Sequence, residues 1–410
     1  MDGNILVGQS GGPTAVINAS LAGVIAAARA AGFGDDDRRQ GRIFGMHFAI
    51  EGFLEERLLS LDGLSYRDLD RLRDTPASIL GSCRYKIQDE DLPKIHRLLE
   101  KYGIRYLFYI GGNDTMDTIN RISAYCSDAG YEIRGIGIPK TVDNDLYAVD
   151  HTPGFPSAAR YVALSVQQAG RLARDMQRVD RFLVHQTIGR DAGWLAAASA
   201  LARRRPGDAP HMIYLPEQPI TRDQVLDDLR SAIDSWGWAS IVIGEGTRWD
   251  DGTPVSAAAG TDRFNNVEFG AMSGSSAALN LHRFIAAETG YRGEFQVPES
   301  MPMAAIDRRG PHDAAEAYAC GVEAVRRALG DETGVMITIE RRGTGIDHPY
   351  EVTYGTAPLG EVAVRARPMP PEMLAPGDVT EEFLEYAAPL VGALPEYLDL
   401  AEAGAREIRL

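Results

Sequence analysis

The sequence predicts an α/β protein of two domains, each a largely parallel sheet flanked by helices. Three observations carry that prediction. Short apolar runs alternate with amphipathic helical stretches along most of the 410 residues, the pattern of strands covered on both faces by helices. A chain of this length exceeds one small core. Hydrophobic residues at 44% and charged residues at 24% lie near globular averages, which excludes wholesale disorder.

The elements follow in order. Ile5-Leu6-Val7 is an apolar strand, and Ala15 to Ala31 an alanine-rich helix. Tyr106 to Ile110 is the next strand, with a helix over Thr115 to Tyr125. Ile133 to Ile138 is a third strand, ending at Pro139. Phe182 to Ile188 is a fourth, with the helix Ala192 to Arg203 behind it. Met212 to Leu215 and Ser240 to Gly244 complete the clear strands, with a helix near Gln224 to Ser235 between them. Strands alternating with helices in this way read as crossover units of a parallel sheet. Thr152-Pro153-Gly154-Phe155-Pro156 interrupts the pattern and marks a domain boundary. Trp249 to Asn266, polar and glycine-punctuated, reads as a loop, and the proline-rich Pro368 to Gly377 as an extended surface segment.

Charge narrows the function. The 42 Lys and Arg against 58 Asp and Glu leave a net charge of −16, without the broad basic footprint of a nucleic-acid binder. Nucleic acid and anionic membranes are therefore not expected as partners. Phosphorylated small molecules remain open wherever cations gather locally. Cys83, Cys126 and Cys320 stand far apart with no CxxC spacing, which fits neither a disulfide framework nor a zinc site. Met1-Asp2-Gly3-Asn4 lacks the basic region of a signal peptide, and no apolar run reaches the ~18 residues of a membrane span. A soluble, cytoplasmic protein is expected.

Three strand-to-helix junctions carry unusual residues, and open α/β sheets bind ligands at the carboxyl ends of strands. Gly8-Gln9-Ser10-Gly11-Gly12-Pro13 follows the first strand. Glycines there let main-chain N–H groups approach an anion, and a helix start adds positive potential. The loop lacks the P-loop lysine and the dinucleotide-fold spacing, and equally suits a plain tight turn. Gly111-Gly112-Asn113-Asp114-Thr115 is the second junction. Its Asn113 or Asp114 is explained either as a helix cap or as a carboxylate bridged to an anion by a cation. The third, Pro139-Lys140-Thr141-Val142-Asp143-Asn144-Asp145, sets a lysine and two acids after a buried strand. A base for a hydroxyl proton, beside a cation for a migrating phosphoryl group, needs these residue types, and a plain solvated polar loop is the other reading.

Together these stretches resemble the phosphofructokinase family, and within it the pyrophosphate-dependent branch. The resemblance runs in order through Gly8 to Asn18, Ile79 to Lys86, Tyr109 to Asp117, Pro139 to Asp145, Ile188 to Trp194, His211 to Glu217, Val242 to Gly246 and Glu381 to Leu390. It implies a phosphofructokinase-like fold with a donor domain of residues 1–153 plus 304–340 and an acceptor domain of 154–303 plus 341–410. It also implies Asp143 as the base, with Lys140 and Arg190 beside it in catalysis. Donor contacts fall to Gly12, Arg84, Lys86 and Asp114. Acceptor contacts fall to Thr141, Asp145, Arg181, Ile188, Gly189, Glu245 and Arg308. Arg181 matches an arginine that serves a neighbouring subunit, so a homodimer or homotetramer is implied. ATP-using relatives usually carry glycine at the positions of Asp114 and Lys140. The acid repels an α-phosphate while the lysine pairs with diphosphate, a device with both a repulsive and an attractive part.

The departures bear on metal and acceptor. The family's magnesium-linked aspartate is Asn113 here, a neutral and weaker ligand for Mg²⁺. Ile188 replaces a methionine. Glu299 pairs with an arginine for the acceptor's phosphate, Ala305 with a larger residue and Asp307 with glutamine, so Arg292, Arg309 or Arg341 would have to substitute. The leading function is reversible phosphoryl transfer from diphosphate, with Mg²⁺, to the C1 hydroxyl of fructose 6-phosphate. An alternative keeps the chemistry on an unphosphorylated sugar or cyclitol, or on sedoheptulose 7-phosphate. A non-catalytic regulatory subunit is a further alternative, opposed by Lys140, Asp143 and Arg190.

Overall fold

The computed structural model describes residues 2–34, 41–256, 276–343 and 349–400, with short pieces at 260–261, 267–268, 402–404 and 408. The strands are β1 (Asn4–Gln9), β2 (Ile43–Met46), β3 (Leu58–Ser60), β4 (Ile104–Gly111), β5 (Arg134–Pro139), β6 (Phe182–Thr187) and β7 (Met212–Tyr214). They continue with β8 (Ala239–Gly244), β9 (Gly260–Thr261), β10 (Val267–Glu268), β11 (Gly293–Gln296), β12 (Val335–Gly343), β13 (Glu351–Pro358), β14 (Leu374–Ala375) and β15 (Asp378–Val379). The helices are α1 (Ile17–Ala30), α2 (Ala49–Leu54), α3 (Tyr66–Arg73), α4 (Leu92–Lys101), α5 (Asn113–Asp128) and α6 (Phe155–Asp175). After them come α7 (Trp194–Ala198), α8 (Arg222–Trp236), α9 (Ala277–Thr289), α10 (Asp313–Leu329), α11 (Leu359–Val364) and α12 (Glu381–Val391).

Among the described residues one sheet runs β13-β12-β5-β4-β1-β2-β3, and a second runs β11-β6-β8-β7. The second is parallel throughout. The first is parallel except at its edges, where β13 and β3 pair antiparallel. Period-two alternation sends Ile5, Val7, Phe108 and Ile136 to one buried face and Leu6, Leu107 and Tyr109 to the other. Burial of both faces is why these strands read as unbroken apolar runs. The second sheet divides likewise, with Val184, Tyr214 and Ile243 on one side and Leu183, Ile213 and Val242 on the other. Helices α1 and α10 cross where side chains are absent. A Cβ on Gly23 would lie 2.1 Å from the Tyr318 carbonyl oxygen, and one on Gly321 2.1 Å from that of Ser20.

Strand order reverses at β1, flanked by β2 on one side and β4 on the other. The crevice beyond the carboxyl ends of β1 and β4 is thus the switch point where open α/β sheets bind ligands. Helix α6 begins at the Thr152–Pro156 interruption and packs on α7 and α12 against the second sheet. Its first turn is closed by buried Asp313, whose carboxylate accepts from the N–H groups of Gly154 (2.9 Å) and Ser157 (3.1 Å).

Four expectations are corrected. Residues 351–358 form the edge of the first sheet, and α11 packs on α5, so this stretch does not sit with the second sheet. Its sequence is only half apolar, and pairing with β12 gives it its place. The helix Ala192 to Arg203 is α7 followed by a 3-10 turn over Ser199–Ala202, where the Ser199 hydroxyl donates back to the Ala196 carbonyl. Pro368 to Gly377 is no mere surface segment, for Met369 is buried beside α6 and α7 and β14 pairs with β15. Within Trp249 to Asn266, Gly260–Thr261 pairs with Val267–Glu268; residues 257–259 and 262–266 lie outside the described residues.

Candidate active site

The three sequence junctions meet at the switch point. After β1 the chain turns through Gly11, at φ 76°, and Gly12, whose carbonyl accepts from Lys140 Nζ at 2.6 Å. The Ser82 hydroxyl donates to the Gly11 carbonyl at 2.6 Å. A buried amide pair holds the Ile79–Lys86 stretch there. Gln9 donates to Asn18 (2.8 Å), and these side chains accept from the N–H groups of Leu80 (3.0 Å) and Ile79 (3.1 Å). Sequence reading missed Gln9 and Asn18, since only burial distinguishes them from surface polar residues, and half-buried Ser82, whose partner Gly11 lies 71 positions away. Beyond β4, Asp114 lies in the first turn of α5 and pairs with Lys86 Nζ at 3.1 Å. Arg84, exposed, stands on the same stretch as Lys86.

Lys140 leaves β5 with its N–H donating to the Gly111 carbonyl at 3.1 Å. Its side chain is buried, which lowers its pKa to about 8 against the upward pull of Asp143 and Asp145. Thr141 Oγ1 accepts from the Asp143 N–H at 3.1 Å. Burial pushes both Asp143 and Asp145 above the ordinary carboxylate range. Asp145 and Glu245 add to the rise at Asp143, while Arg190 and Lys140 oppose it. Between the two acids, buried Asn144 has φ 57°, a left-handed conformation that asparagine tolerates better than most residues.

The second sheet delivers the opposite wall. Gly189, at φ 124°, follows β6 and donates its N–H to Glu245 Oε1 at 3.2 Å. Glu245 follows β8, and burial with the Glu299 charge raises its pKa to about 7. The Glu299 charge is thus felt at Glu245. Ile188 packs on the second core. Exposed Arg190 pairs with Asp191 at 2.8 Å and feels Asp143 and Glu245. A Cβ on Gly246 would lie 1.6 Å from the Arg190 carbonyl oxygen, so only glycine admits this approach.

Other expected residues have partners of their own. Arg181 stands at the amino end of β6, with the whole strand between it and Gly189, and its guanidinium lies 5.6 Å from the Tyr291 ring. Arg308 packs along α6, donating to Ser165 Oγ at 3.1 Å over the Tyr161 ring. Arg292, Arg309 and Arg341 pair with Asp180, Asp74 and Asp150 at 2.9, 2.7 and 2.9 Å. The Asn113 amide nitrogen donates to the carbonyls of Val362 (2.9 Å) and Arg365 (2.8 Å), which fixes the side chain beside α11. Among the described residues no group of three or more His, Cys, Asp or Glu is arranged to hold an ion. Nor is any described helix long and apolar enough to cross a membrane.

Comparison with known proteins agrees with this fold. The profile described as "PFK: Phosphofructokinase" matches residues 4–303. A pyrophosphate–fructose 6-phosphate 1-phosphotransferase of Halomonas elongata is 37% identical over 95% of this chain and 91% of its own. A sulfofructose kinase of Alkalicoccus urumqiensis is 30% identical over 98% and 99%. The crystal structure of a pyrophosphate-dependent phosphofructokinase from Nitrosospira multiformis superposes with a TM-score of 0.85, at 33% identity over 97% and 94% of the two chains. With the strand ends, the glycine turns and the acid-lysine loop all accounted for, the chain belongs to the phosphofructokinase family.

Proposed function

We propose that this protein transfers a phosphoryl group reversibly between diphosphate and the C1 hydroxyl of fructose 6-phosphate. The observation that carries the donor half is Lys140, a buried ammonium at the Gly12 carbonyl, with Asp114 at the start of α5. Diphosphate would displace the Gly12 carbonyl as the partner of Lys140, with Lys86 and Arg84 along its rim. Asp114 would exclude the rest of a nucleotide by charge and bulk. The raised Asp143 is poised to take the hydroxyl proton of the acceptor, and Arg190 to face the charge on the group in transit. Such transfer rests on positioning and electrostatics rather than a covalent intermediate.

Magnesium fits the chemistry of the donor set. Asp143 and Asp145 are two half-buried carboxylates, the charge of Asp145 raising Asp143, and Mg²⁺ is held by one or two carboxylates plus substrate phosphates rather than by a protein cage. Asp145 would hold the ion together with diphosphate oxygens, leaving Asp143 for the proton. When bound, the ion would neutralise phosphate charge. We further propose a donor part built on the first sheet and an acceptor part on the second, a homodimer or homotetramer in which Arg181 serves a neighbouring subunit, and a cytoplasmic setting. A second reading, favoured by the Glu299 charge at Glu245, keeps the donor and changes the acceptor to one without a phosphate at its far end. A turnover screen tests both, with diphosphate or ATP against fructose 6-phosphate, sedoheptulose 7-phosphate and unphosphorylated polyols. Turnover with ATP alone overturns the donor assignment, and turnover of polyols alone replaces the acceptor.

A further inference from the structure

We infer that Arg367 is a positioning residue for the reaction, holding the base loop in register with the start of α7 behind Arg190. It lies in a stretch that sequence reading passed over. Its N–H donates to the Asp145 carbonyl at 2.7 Å, and Ala366 bridges to Leu146. Its guanidinium donates to the carbonyls of Val149, at 2.6 Å, and Asp150. One residue thus fixes the main chain at three points within six residues of Asp145.

The same guanidinium reaches two further partners. It lies 4.5 Å from the Trp194 ring centre, and the Trp194 indole N–H donates to the Arg367 carbonyl at 3.3 Å. Trp194 opens α7, four residues after Arg190. Arg367 Nη2 also donates to the Tyr386 hydroxyl at 3.2 Å. That hydroxyl donates to the Asp150 carbonyl at 2.8 Å and accepts from Asn144 Nδ2 at 3.0 Å. Asn144 Oδ1 accepts in turn from the Thr152 N–H at 3.0 Å. The residue between the two acids is therefore held by both ends of its amide, through a hydroxyl that Arg367 itself orients.

Lysine cannot reproduce this arrangement. A guanidinium is a rigid planar fork that stacks on an aromatic face while donating in several directions, whereas an ammonium is a point charge on a flexible stem. With Arg367→Lys the charge stays but the fork and the stack are lost, and Asp143 is freed to drift from the acceptor hydroxyl.

The inference rests on Asp143 as the base, so the test separates the two. Steady-state kcat and KM are measured with diphosphate and fructose 6-phosphate for the full chain and for Arg367→Lys, Asp143→Asn and the double variant, each verified as folded by thermal unfolding. The expected result for Arg367→Lys is a kcat lower by roughly 10- to 100-fold, as for a small misplacement transmitted from outside the chemistry, with both KM values within about 3-fold. In the Asp143→Asn background the same change lowers the residual rate by no more than about 3-fold, because coupled residues are not additive. An unchanged kcat in folded Arg367→Lys, or an undiminished loss in the Asp143→Asn background, overturns the inference. Near-normal turnover of Asp143→Asn alone instead sinks the base assignment. Should Arg367→Lys fail to fold, Tyr386→Phe removes only the hydroxyl and decides on the same two comparisons, an unchanged kcat again overturning it.

Discussion

Gly246→Ala offers a perturbation whose size is read from the fold. The added Cβ would stand 1.6 Å from the Arg190 carbonyl oxygen and 2.6 Å from its carbon. Both are main-chain atoms, so no side-chain rotation relieves the clash. Contact becomes ordinary only from 3.4 Å outward, and the Arg190 peptide must retreat by most of that difference. No left-handed φ is involved at Gly246, so the cost is steric, and it falls on the segment carrying the arginine. A shift of about 1 Å in a positioning element lowers rate by roughly 10²-fold, and loss of one donor to developing charge lowers kcat by roughly 10²–10³-fold. The expected outcome is a kcat lower by roughly 10²-fold with substrate KM values nearly unchanged, the signature of an interaction made in the transition state. A coupled assay of fructose bisphosphate formation measures it, with thermal unfolding to verify the fold. Gly63→Ala is the control, since nothing lies within 4 Å of its added Cβ. A folded Gly246→Ala enzyme with kcat within about 3-fold of normal would refute the assignment of Arg190 to the group in transit.

The remaining predictions concern charge. As the proposed base, Asp143 would work ionised, and its pKa is raised, so kcat/KM for the acceptor should fall as pH drops through a value above the usual ~4 of a carboxylate. Glu245→Gln, removing one of the charges that raise it, should move that acid limb to lower pH; a limb that stays put means Glu245 is not sensed. In its proposed donor role Lys140 would hold diphosphate while charged, so kcat/KM for diphosphate should decline as pH rises through about 8, and a flat profile there would remove Lys140 from the donor site. Asp114→Gly with Lys140→Gly should improve use of ATP relative to diphosphate, an argument that fails if the unaltered protein already prefers ATP. Glu299→Arg should lower the KM for fructose 6-phosphate, by about tenfold if the exchange of repulsion for attraction is worth ~1.4 kcal/mol. No change would place Glu299 outside the acceptor's phosphate end.

Pattern and local chemistry alone carried far in this chain. The apolar runs at Ile5-Leu6-Val7, Tyr106 to Ile110 and Ile133 to Ile138 declared parallel strands because each is buried on both faces. Glycine pairs and the Lys140 to Asp145 loop marked the strand ends where an anion and a hydroxyl can be handled, since those tasks demand particular residue types at close sequence spacing. Tertiary structure decided what depends on distant segments. Glu351–Pro358 became an edge of the first sheet only by pairing with β12. Asn113 is tied by its amide nitrogen to carbonyls some 250 positions on, in and after α11. Arg367 looked like one of many surface arginines until Trp194, Asp145 and Tyr386 closed around it. Periodicity and motif report what a residue does with its neighbours in sequence. The partner that holds a side chain, and the field that shifts its pKa, arise from contacts the sequence leaves hundreds of residues apart.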